Sequence, residues 1–265
     1  MNRYIITAIF FISAFANAQS TASKQVSTFM IDAPQLGGQK KIWMYLPKNY
    51  TTSTKKYPVL YMHDAQNLFD AKTSFVGEWN VDEALDSINA QVIVVGIEHG
   101  NEKRMEELTP YPNDKYGGGK ADLYMDFIVK NLKPYIDKTY RTKTNAKNTG
   151  IMGSSLGGLV SWYAALKYPD VFGKAGVFSP SFWFSNRIYE LAESTPKIMT
   201  RVYFLCGDSE SKDVDVVADM NKMTKIVSKK RCDCLDLTKK VVVKGGEHNE
   251  KLWRTQFLKA YLWLF

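Results

Sequence analysis

Residues 153–158 read Gly-Ser-Ser-Leu-Gly-Gly and contain the pattern G-x-S-x-G. An apolar run ending at Met152 precedes the pattern, and a segment with helical spacing, Leu156 to Tyr168, follows it. A strand that turns sharply into a helix exposes the middle serine, and only small flanking residues let the backbone make that turn. The pattern therefore predicts Ser155 as a nucleophile. The alternative is a glycine-rich turn without catalysis.

The same turn aims a helix N-terminus at the negative charge that develops on an attacked carbonyl oxygen. The N–H of Leu156 is the first predicted donor to this oxyanion. The second donor is expected on the loop after the strand Tyr57 to Met62, and the N–H of Ala65 is our prediction. His63 opens that loop, and we predict a structural role for it.

Three histidines occur in the chain, and only His248 lies beyond the last predicted strand. Hydrolases with a G-x-S-x-G turn place serine, acid and histidine in that order along the chain. His248 is therefore the predicted general base. His63 and His99 precede the serine and have no place in this order.

The acid must lie between Ser155 and His248 in the chain, and we expect it on the loop after the strand that ends at Cys206. This loop contains four carboxylates. They are Asp208, Glu210, Asp213 and Asp215. Glu210 is our prediction, because it stands three residues past Gly207 and so far enough along the loop to turn back toward the histidine. Asp213 is the second choice, and the others are expected to cap or flank a helix N-terminus.

Short β-rich runs alternate with amphipathic segments along the whole chain. This alternation predicts an α/β fold with a mainly parallel central sheet and helices on both faces. The predicted strands are Thr28–Ile31, Lys41–Leu46, Tyr57–Met62, Val92–Ile97, Asn148–Met152, Ala175–Phe178, Val202–Cys206 and Lys240–Val243, the first two as an antiparallel pair at one edge. The predicted helices are Asp122–Thr139, Leu156–Tyr168, Val214–Val227 and Leu252–Phe265, with a kink at Pro134. Helical spacing predicts a buried stripe on the first of them, Leu123, Phe127, Ile128, Leu132, Tyr135 and Ile136, and a buried apolar face on the last, Trp253, Phe257, Ala260, Tyr261 and Leu264.

Residues 1–18 have the layout of a cleavable secretory signal. A basic start with Arg3 is followed by the apolar stretch Tyr4 to Phe15 and then by Ala-Asn-Ala. Cleavage is expected before Gln19, with export to the periplasm or the medium. Residues 19–265 are then long enough for one α/β-hydrolase domain, and no later segment is apolar enough to span a membrane.

The formal net charge of +8 comes from lysines spread along the chain, so we expect no nucleic-acid partner. The three cysteines do not suggest a disulfide framework. Cys206 is expected to be a buried apolar residue, and a bond between Cys232 and Cys234 stays open. The number of subunits also stays open.

Several motifs together resemble the Putative esterase family of α/β-hydrolases, which includes esterase D, feruloyl and acetylxylan esterases, enterochelin-type siderophore esterases and mycolyl transferases. The likeness covers nearly the whole chain after residue 18. It lies in Val59–Asp64, Ile93–Ile97 with Arg104, Gly150–Gly158, Phe178–Trp183, and Gly246–His248 with Trp253. The resemblance implies a triad of Ser155, His248 and Glu210 with no metal or organic cofactor. Many relatives have aspartate at the position of Glu210. Relatives also often have glycine after the histidine that corresponds to His63, where this chain has Asp64 followed by Ala65.

Trp79, Arg104 and Trp183 are the predicted substrate-binding residues, since each falls in a segment expected at the rim of the site. The tryptophans are suited to stacking and the guanidinium to pairing with a carboxylate; loop packing, or a local ion pair of Arg104 with Glu106 or Glu107, is the alternative. The first hypothesis for function is a secreted serine carboxylesterase acting on a carbohydrate-linked feruloyl or acetyl ester. The alternatives are a siderophore esterase, an acyltransferase to a sugar hydroxyl, and a non-catalytic binding protein.

Overall fold

The computed structural model describes residues 19–231 and 236–265. The predicted signal peptide, Cys232 and Cys234 lie outside these residues, so the predictions made for them stay predictions. The strands are β1 Val26–Ala33, β2 Gly38–Tyr45, β3 Val59–His63, β4 Ile93–Ile97, β5 Pro112–Asn113, β6 Gly117–Gly118, β7 Thr149–Ser154, β8 Lys174–Phe178, β9 Arg201–Gly207 and β10 Thr238–Val243.

Eight of these strands form one sheet in the order β1-β2-β4-β3-β7-β8-β9-β10. β1 pairs antiparallel with β2, and β2 antiparallel with β4. Every later pair in the sheet is parallel. The predicted mainly parallel sheet with an antiparallel edge pair is therefore confirmed. β5 and β6 form a separate small hairpin that the sequence analysis missed.

Helices cover both faces of the sheet, as predicted. They are α1 Val81–Ser87, α2 Arg104–Leu108, α3 Ala121–Phe127, α4 Lys133–Thr139, α5 Leu156–Lys167, α6 Arg187–Ser194, α7 Val216–Lys229 and α8 Glu250–Leu264. α1 and α8 pack into one apolar core, and α3 to α7 contribute to a second core. Because β3, β4 and β7 lie between the two cores, every residue in them is buried, and this explains why they contain few polar side chains and no Lys, Arg, Asp or Glu.

The long helix predicted over residues 122–139 consists of α3, a wider π-helical turn at Ile128–Leu132, and α4. Pro134 stands in the first turn of α4, where its missing N–H removes a helical hydrogen bond and favours an irregular turn just before it. Leu123 and Tyr135 were expected on the buried stripe, but both are exposed. None of the described helices has the length and apolarity needed to cross a lipid bilayer.

Candidate active site

Ser155 occupies the junction between β7 and α5 with φ 58° and ψ −122°. A positive φ is strained for serine, and here the neighbouring backbone holds it. The Ser155 N–H donates to the Phe178 carbonyl at 3.0 Å, and its own carbonyl accepts from the Ser181 N–H at 3.2 Å. A Cβ atom on Gly153 would lie 2.9 Å from the backbone of Gly157, which explains why this turn requires glycine.

His248 contacts Glu210. The Nδ1 atom of His248 lies 2.8 Å from Oε2 of Glu210, and because a carboxylate only accepts, Nδ1 carries the hydrogen. Glu210 is on the loop after β9, and His248 is on the loop between β10 and α8. These loops touch through their backbones, since a Cβ on Gly207 would lie 2.1 Å from the carbonyl oxygen of Gly246. The Glu210 side chain is buried, whereas 34% of the His248 side chain is exposed.

The other carboxylate oxygen of Glu210 is held by two donors. Oε1 accepts from the Gly207 N–H at 2.6 Å and from the hydroxyl of Ser179 at 2.6 Å. Ser179 Oγ in turn accepts from the indole N–H of Trp253 at 2.8 Å. Ser179 adopts a positive φ of 42°. This network fixes the carboxylate in one orientation toward the imidazole.

The other three carboxylates on this loop point elsewhere. Asp208 accepts a hydrogen bond from a glycine N–H on the neighbouring loop. Asp215 caps α7 by accepting an N–H of its first turn, and Asp213 is exposed. Of the four, Glu210 is the one whose carboxylate contacts His248.

Ser155 and His248 line the same cavity, which has a volume of about 260 Å³. Among the described residues, the hydrogen-bond partner of the Ser155 hydroxyl is Ser181 Oγ at 3.3 Å rather than His248. Bonds between nucleophile and base are often long before substrate binds, so this geometry is compatible with the predicted pair. A larger depression of about 390 Å³ runs along residues 207–217 and includes neither Ser155 nor His248.

Trp79 forms part of the wall of this cavity, although only 3% of the residue is exposed. Its ring stacks on Phe178 with centroids 5.5 Å apart and lies 5.7 Å from the ring of Trp253. Loop packing and contact with the substrate site were the two alternatives predicted for Trp79. Its ring both packs against other aromatic rings and lines the cavity.

Arg104 also lines the cavity, but its charge is paired. Nε and Nη2 donate to the two carboxylate oxygens of Asp64, each at 2.8 Å. Burial alone would lower the pKa of the guanidinium, but the Asp64 carboxylate more than offsets this effect and raises it. The alternative pairs with Glu106 and Glu107 are not formed, since lysines bind both of those carboxylates.

Trp183, predicted at the rim of the site, is not among the residues that line this cavity. It belongs to the short 3₁₀ turn Phe182–Phe184, in which the two phenylalanines are buried. Such a turn directs the middle side chain outward, and 43% of Trp183 is exposed. Its ring meets Tyr116 edge-on, with centroids 5.9 Å apart.

The two predicted oxyanion donors lie at the starts of helical segments that flank the serine. Leu156 begins α5, and Ala65 begins a 3₁₀ turn after β3. Neither N–H donates to another described residue. Asp64, the residue before Ala65, lines the cavity and has a left-handed backbone with φ 56°.

His63 is buried beneath the serine loop. Its Nδ1 atom lies 2.8 Å from the hydroxyl of Tyr124, and burial lowers the pKa of the imidazole to about 4. The ordinary value is 6.5, so between these pH values the native state keeps His63 neutral while an unfolded chain binds a proton.

We therefore expect this histidine to stabilise the fold fully above pH 6.5 and to lose that contribution as pH falls toward 4. The difference corresponds to about 3 kcal/mol. Urea unfolding at pH 7.5 and at pH 5 measures the larger part of it, about 2 kcal/mol. His63→Gln, which does not titrate, should be less stable than wild type at pH 7.5 and lose less stability on acidification. Equal losses in the two proteins would contradict the assignment.

Several residues of the site carry no recognisable sequence pattern. Ser179 fixes Glu210, and Phe75, His99 and Glu250 line the cavity. Burial raises the pKa of the Glu250 carboxyl. Trp253 was expected on the apolar face of the last helix and in a motif of the family resemblance, and its indole N–H also belongs to the acid network. Ser179 lies in the segment 178–183, which carries part of the same resemblance.

Comparison with known proteins assigns the family. The family model described as Putative esterase matches residues 33–264. The chain belongs to the Putative esterase family. It is accordingly a carboxylic ester hydrolase of the serine hydrolase class, as the sequence predicted.

Two curated proteins and one solved structure illustrate the range of similar proteins. This esterase is 30% identical over 239 residues to YbbA of Bacillus subtilis (strain 168), covering 86% of this chain and 93% of YbbA, a protein described as uncharacterized. It is 27% identical over 180 residues to an endo-1,4-beta-xylanase/feruloyl esterase of Xylanibacter ruminicola, covering 64% of this chain and 23% of that protein. The enterobactin esterase FES of Shigella flexneri superposes with a TM-score of 0.71 at 15% identity, covering 93% of this chain and 60% of FES. At that identity the superposition establishes the α/β-hydrolase fold.

Proposed function

We propose that this esterase is an exported enzyme that hydrolyses a carbohydrate-linked acyl ester through a triad of Ser155, His248 and Glu210. The observation that carries the triad is the hydrogen bond between His248, which lines the same cavity as Ser155, and the buried carboxylate of Glu210, whose other oxygen accepts two further hydrogen bonds. The strained backbone of Ser155 supports its role as nucleophile, because such strain is typical of serines exposed at this kind of turn. Export rests on the sequence of residues 1–18.

In this mechanism, Nε2 of His248 removes the hydroxyl proton of Ser155 as the oxygen attacks the ester carbonyl. Glu210 accepts a hydrogen bond from Nδ1 and stabilises the imidazolium that forms. The N–H groups of Leu156 and Ala65 are the proposed donors to the oxyanion. His248 then returns the proton to the leaving alcohol, and a water activated by the same imidazole releases the acid from Ser155.

The volume of the cavity fits a small acyl group. At about 260 Å³ it lies below the roughly 300–1,000 Å³ of pockets that enclose a drug-sized ligand, so the alcohol part of the ester would remain outside. Trp79 and Trp253 give the wall aromatic surface. Since Asp64 already neutralises Arg104, the cavity favours a neutral feruloyl or acetyl group over an anionic one.

A panel of esters tests the substrate class. Steady-state kcat/KM is measured for p-nitrophenyl acetate, methyl ferulate, acetylated xylan and a catecholate siderophore, with Ser155→Ala as the blank. We expect the acetyl and feruloyl esters to be at least about tenfold better substrates than the siderophore, a difference of about 1.4 kcal/mol in transition-state binding. The reverse order would instead assign a siderophore esterase. Product analysis with an added sugar acceptor distinguishes hydrolysis from acyl transfer.

A further inference from the structure

Three carboxylates lie close together in the segment that begins next to Trp79. Glu78 precedes this tryptophan, and Asp82 and Glu83 lie in the first turn of α1. One carboxylate oxygen of each lies within 4.8 Å of the others. Asp82 is fully buried and Glu78 is 4% exposed. Glu83 is partly exposed. Three carboxylates this close to each other repel unless a positive charge or shared protons compensate them.

The hydrogen bonds of this acidic cluster, Glu78, Asp82 and Glu83, follow one rule: each carboxylate uses one oxygen for a protein donor and leaves the other unpaired. The donors are Thr21 Oγ1 to Glu78 Oε2 at 2.9 Å, the Ser23 N–H to Asp82 Oδ2 at 2.6 Å, and Asn80 Nδ2 to Glu83 Oε1 at 3.1 Å. Glu78 Oε1, Asp82 Oδ1 and Glu83 Oε2 are buried and have no hydrogen-bond partner among the described residues. Buried oxygens are almost always satisfied, so these three indicate a partner that is either a bound cation or a proton shared between neighbouring carboxylates.

Side-chain cations of the described chain do not supply that partner. None of the salt bridges within residues 19–231 and 236–265 involves the acidic cluster. Arg254 lies beside it but donates to the carbonyl oxygen of Glu78 at 3.1 Å and to Asn80 Oδ1 at 2.9 Å. Among the described residues, no guanidinium or ammonium group therefore forms a salt bridge with the three carboxylates, although the nearby charge of Arg254 acts on Glu78.

We propose that Glu78, Asp82 and Glu83 bind one calcium ion. Carboxylate oxygens are the ligands that this hard cation prefers, at about 2.3–2.6 Å. Two ligands of one calcium ion are thus at most roughly 5 Å apart, and one oxygen of each of the three carboxylates lies within 4.8 Å of the others. Magnesium usually binds through one or two carboxylates and keeps several waters, so a site of three carboxylates favours calcium. Water completes the coordination shell.

The calcium ion would connect two parts of the molecule that contact the acidic cluster. The segment Ser20–Ser23 donates to Asp70, Glu78 and Asp82, so it would be held against the protein. Trp79 would be held in the cavity wall from behind, since its neighbour Glu78 is a ligand. The site is therefore expected to stabilise the fold, and this expectation does not depend on the proposed substrate.

Calcium titration of the chelator-treated mature chain tests the proposal. Isothermal titration calorimetry with CaCl₂ should give one site per chain, and MgCl₂ should bind more weakly. At a calcium concentration about 100-fold above Kd, we expect the melting temperature to rise by about 5–10 °C relative to the protein in EDTA. Absence of both the heat and the shift would overturn the proposal and leave the acidic cluster neutralised by protons.

Variants locate the site. Asp82→Asn and Glu83→Gln should each abolish the calcium-dependent shift in melting temperature. Asp126→Asn removes a surface carboxylate paired with Lys130, and it should keep the full shift. If Asp82→Asn does not fold, Glu83→Gln, at a partly exposed position, decides the question. Calcium binding that survives Glu83→Gln unchanged would overturn the assignment to these residues.

Discussion

Ser155→Ala and His248→Ala are expected to lower kcat for p-nitrophenyl acetate by a factor on the order of 10⁴ to 10⁶, because nucleophile and base act as one unit. The alanine at position 155 leaves no oxygen to acylate. The alanine at position 248 leaves no group that can remove the hydroxyl proton. Melting temperatures should stay close to that of the wild type, since both side chains face a cavity rather than a packed core.

His99→Ala is the matched control. His99 lines the same cavity but has no contact with Glu210, so this variant should retain most of the wild-type kcat. Retention of more than about a tenth of kcat by Ser155→Ala would exclude Ser155 as the nucleophile. Covalent labelling by a fluorophosphonate gives a second measurement, and Ser155→Ala should abolish it.

Glu210→Gln is expected to lower kcat by about 10²- to 10⁴-fold with little change in KM. If the amide oxygen keeps the hydrogen bonds of Gly207 and Ser179, the amide NH₂ faces Nδ1 of His248. The imidazole must then carry its proton on Nε2, where it cannot accept the proton of Ser155. If the amide flips, its oxygen again accepts the hydrogen bond from Nδ1 of His248. Its NH₂ group then faces two other donors, the Gly207 N–H and the Ser179 hydroxyl.

Asp213→Asn and Asp208→Asn are the controls for this substitution, measured on the same ester with melting temperatures alongside. Each removes one charge from the same loop without contacting His248. We expect them to act through stability, by about 0.5–2 kcal/mol at most. A loss of kcat greatest for Asp213→Asn at an unchanged melting temperature would transfer the role of the acid to Asp213.

The strands and the strand-to-helix turn could be predicted because their signals are local. An apolar run predicts a strand buried on both faces, and glycine on either side of Ser155 predicts a tight turn whatever the rest of the chain does. The same holds for α8, whose apolar face is buried as expected. The helix at residues 122–139 was predicted less well, because Pro134 and the π turn before it alter which side chains face the core.

The supporting residues of the site could not be predicted, because they depend on contacts between distant parts of the chain. Ser179 and Glu210 are 31 positions apart, and Ser179 and Trp253 are 74 apart. No periodicity marks such pairs. Trp183 was placed at the site because of its neighbours in sequence, but the burial of Phe182 and Phe184 turns it outward. The acidic cluster is equally invisible in sequence, since its significance lies in which oxygens lack a partner.

The contact between Trp253 and Ser179 has a consequence for the timing of activity during biosynthesis. A ribosome makes the chain from its N-terminus, so a nascent chain that extends only to the end of β9 already contains Ser155 and Ser179. It lacks Glu210, His248 and the indole N–H of Trp253. With the proposed triad, such a chain has no catalytic base, and the site is complete only after α8 has been synthesised and has docked.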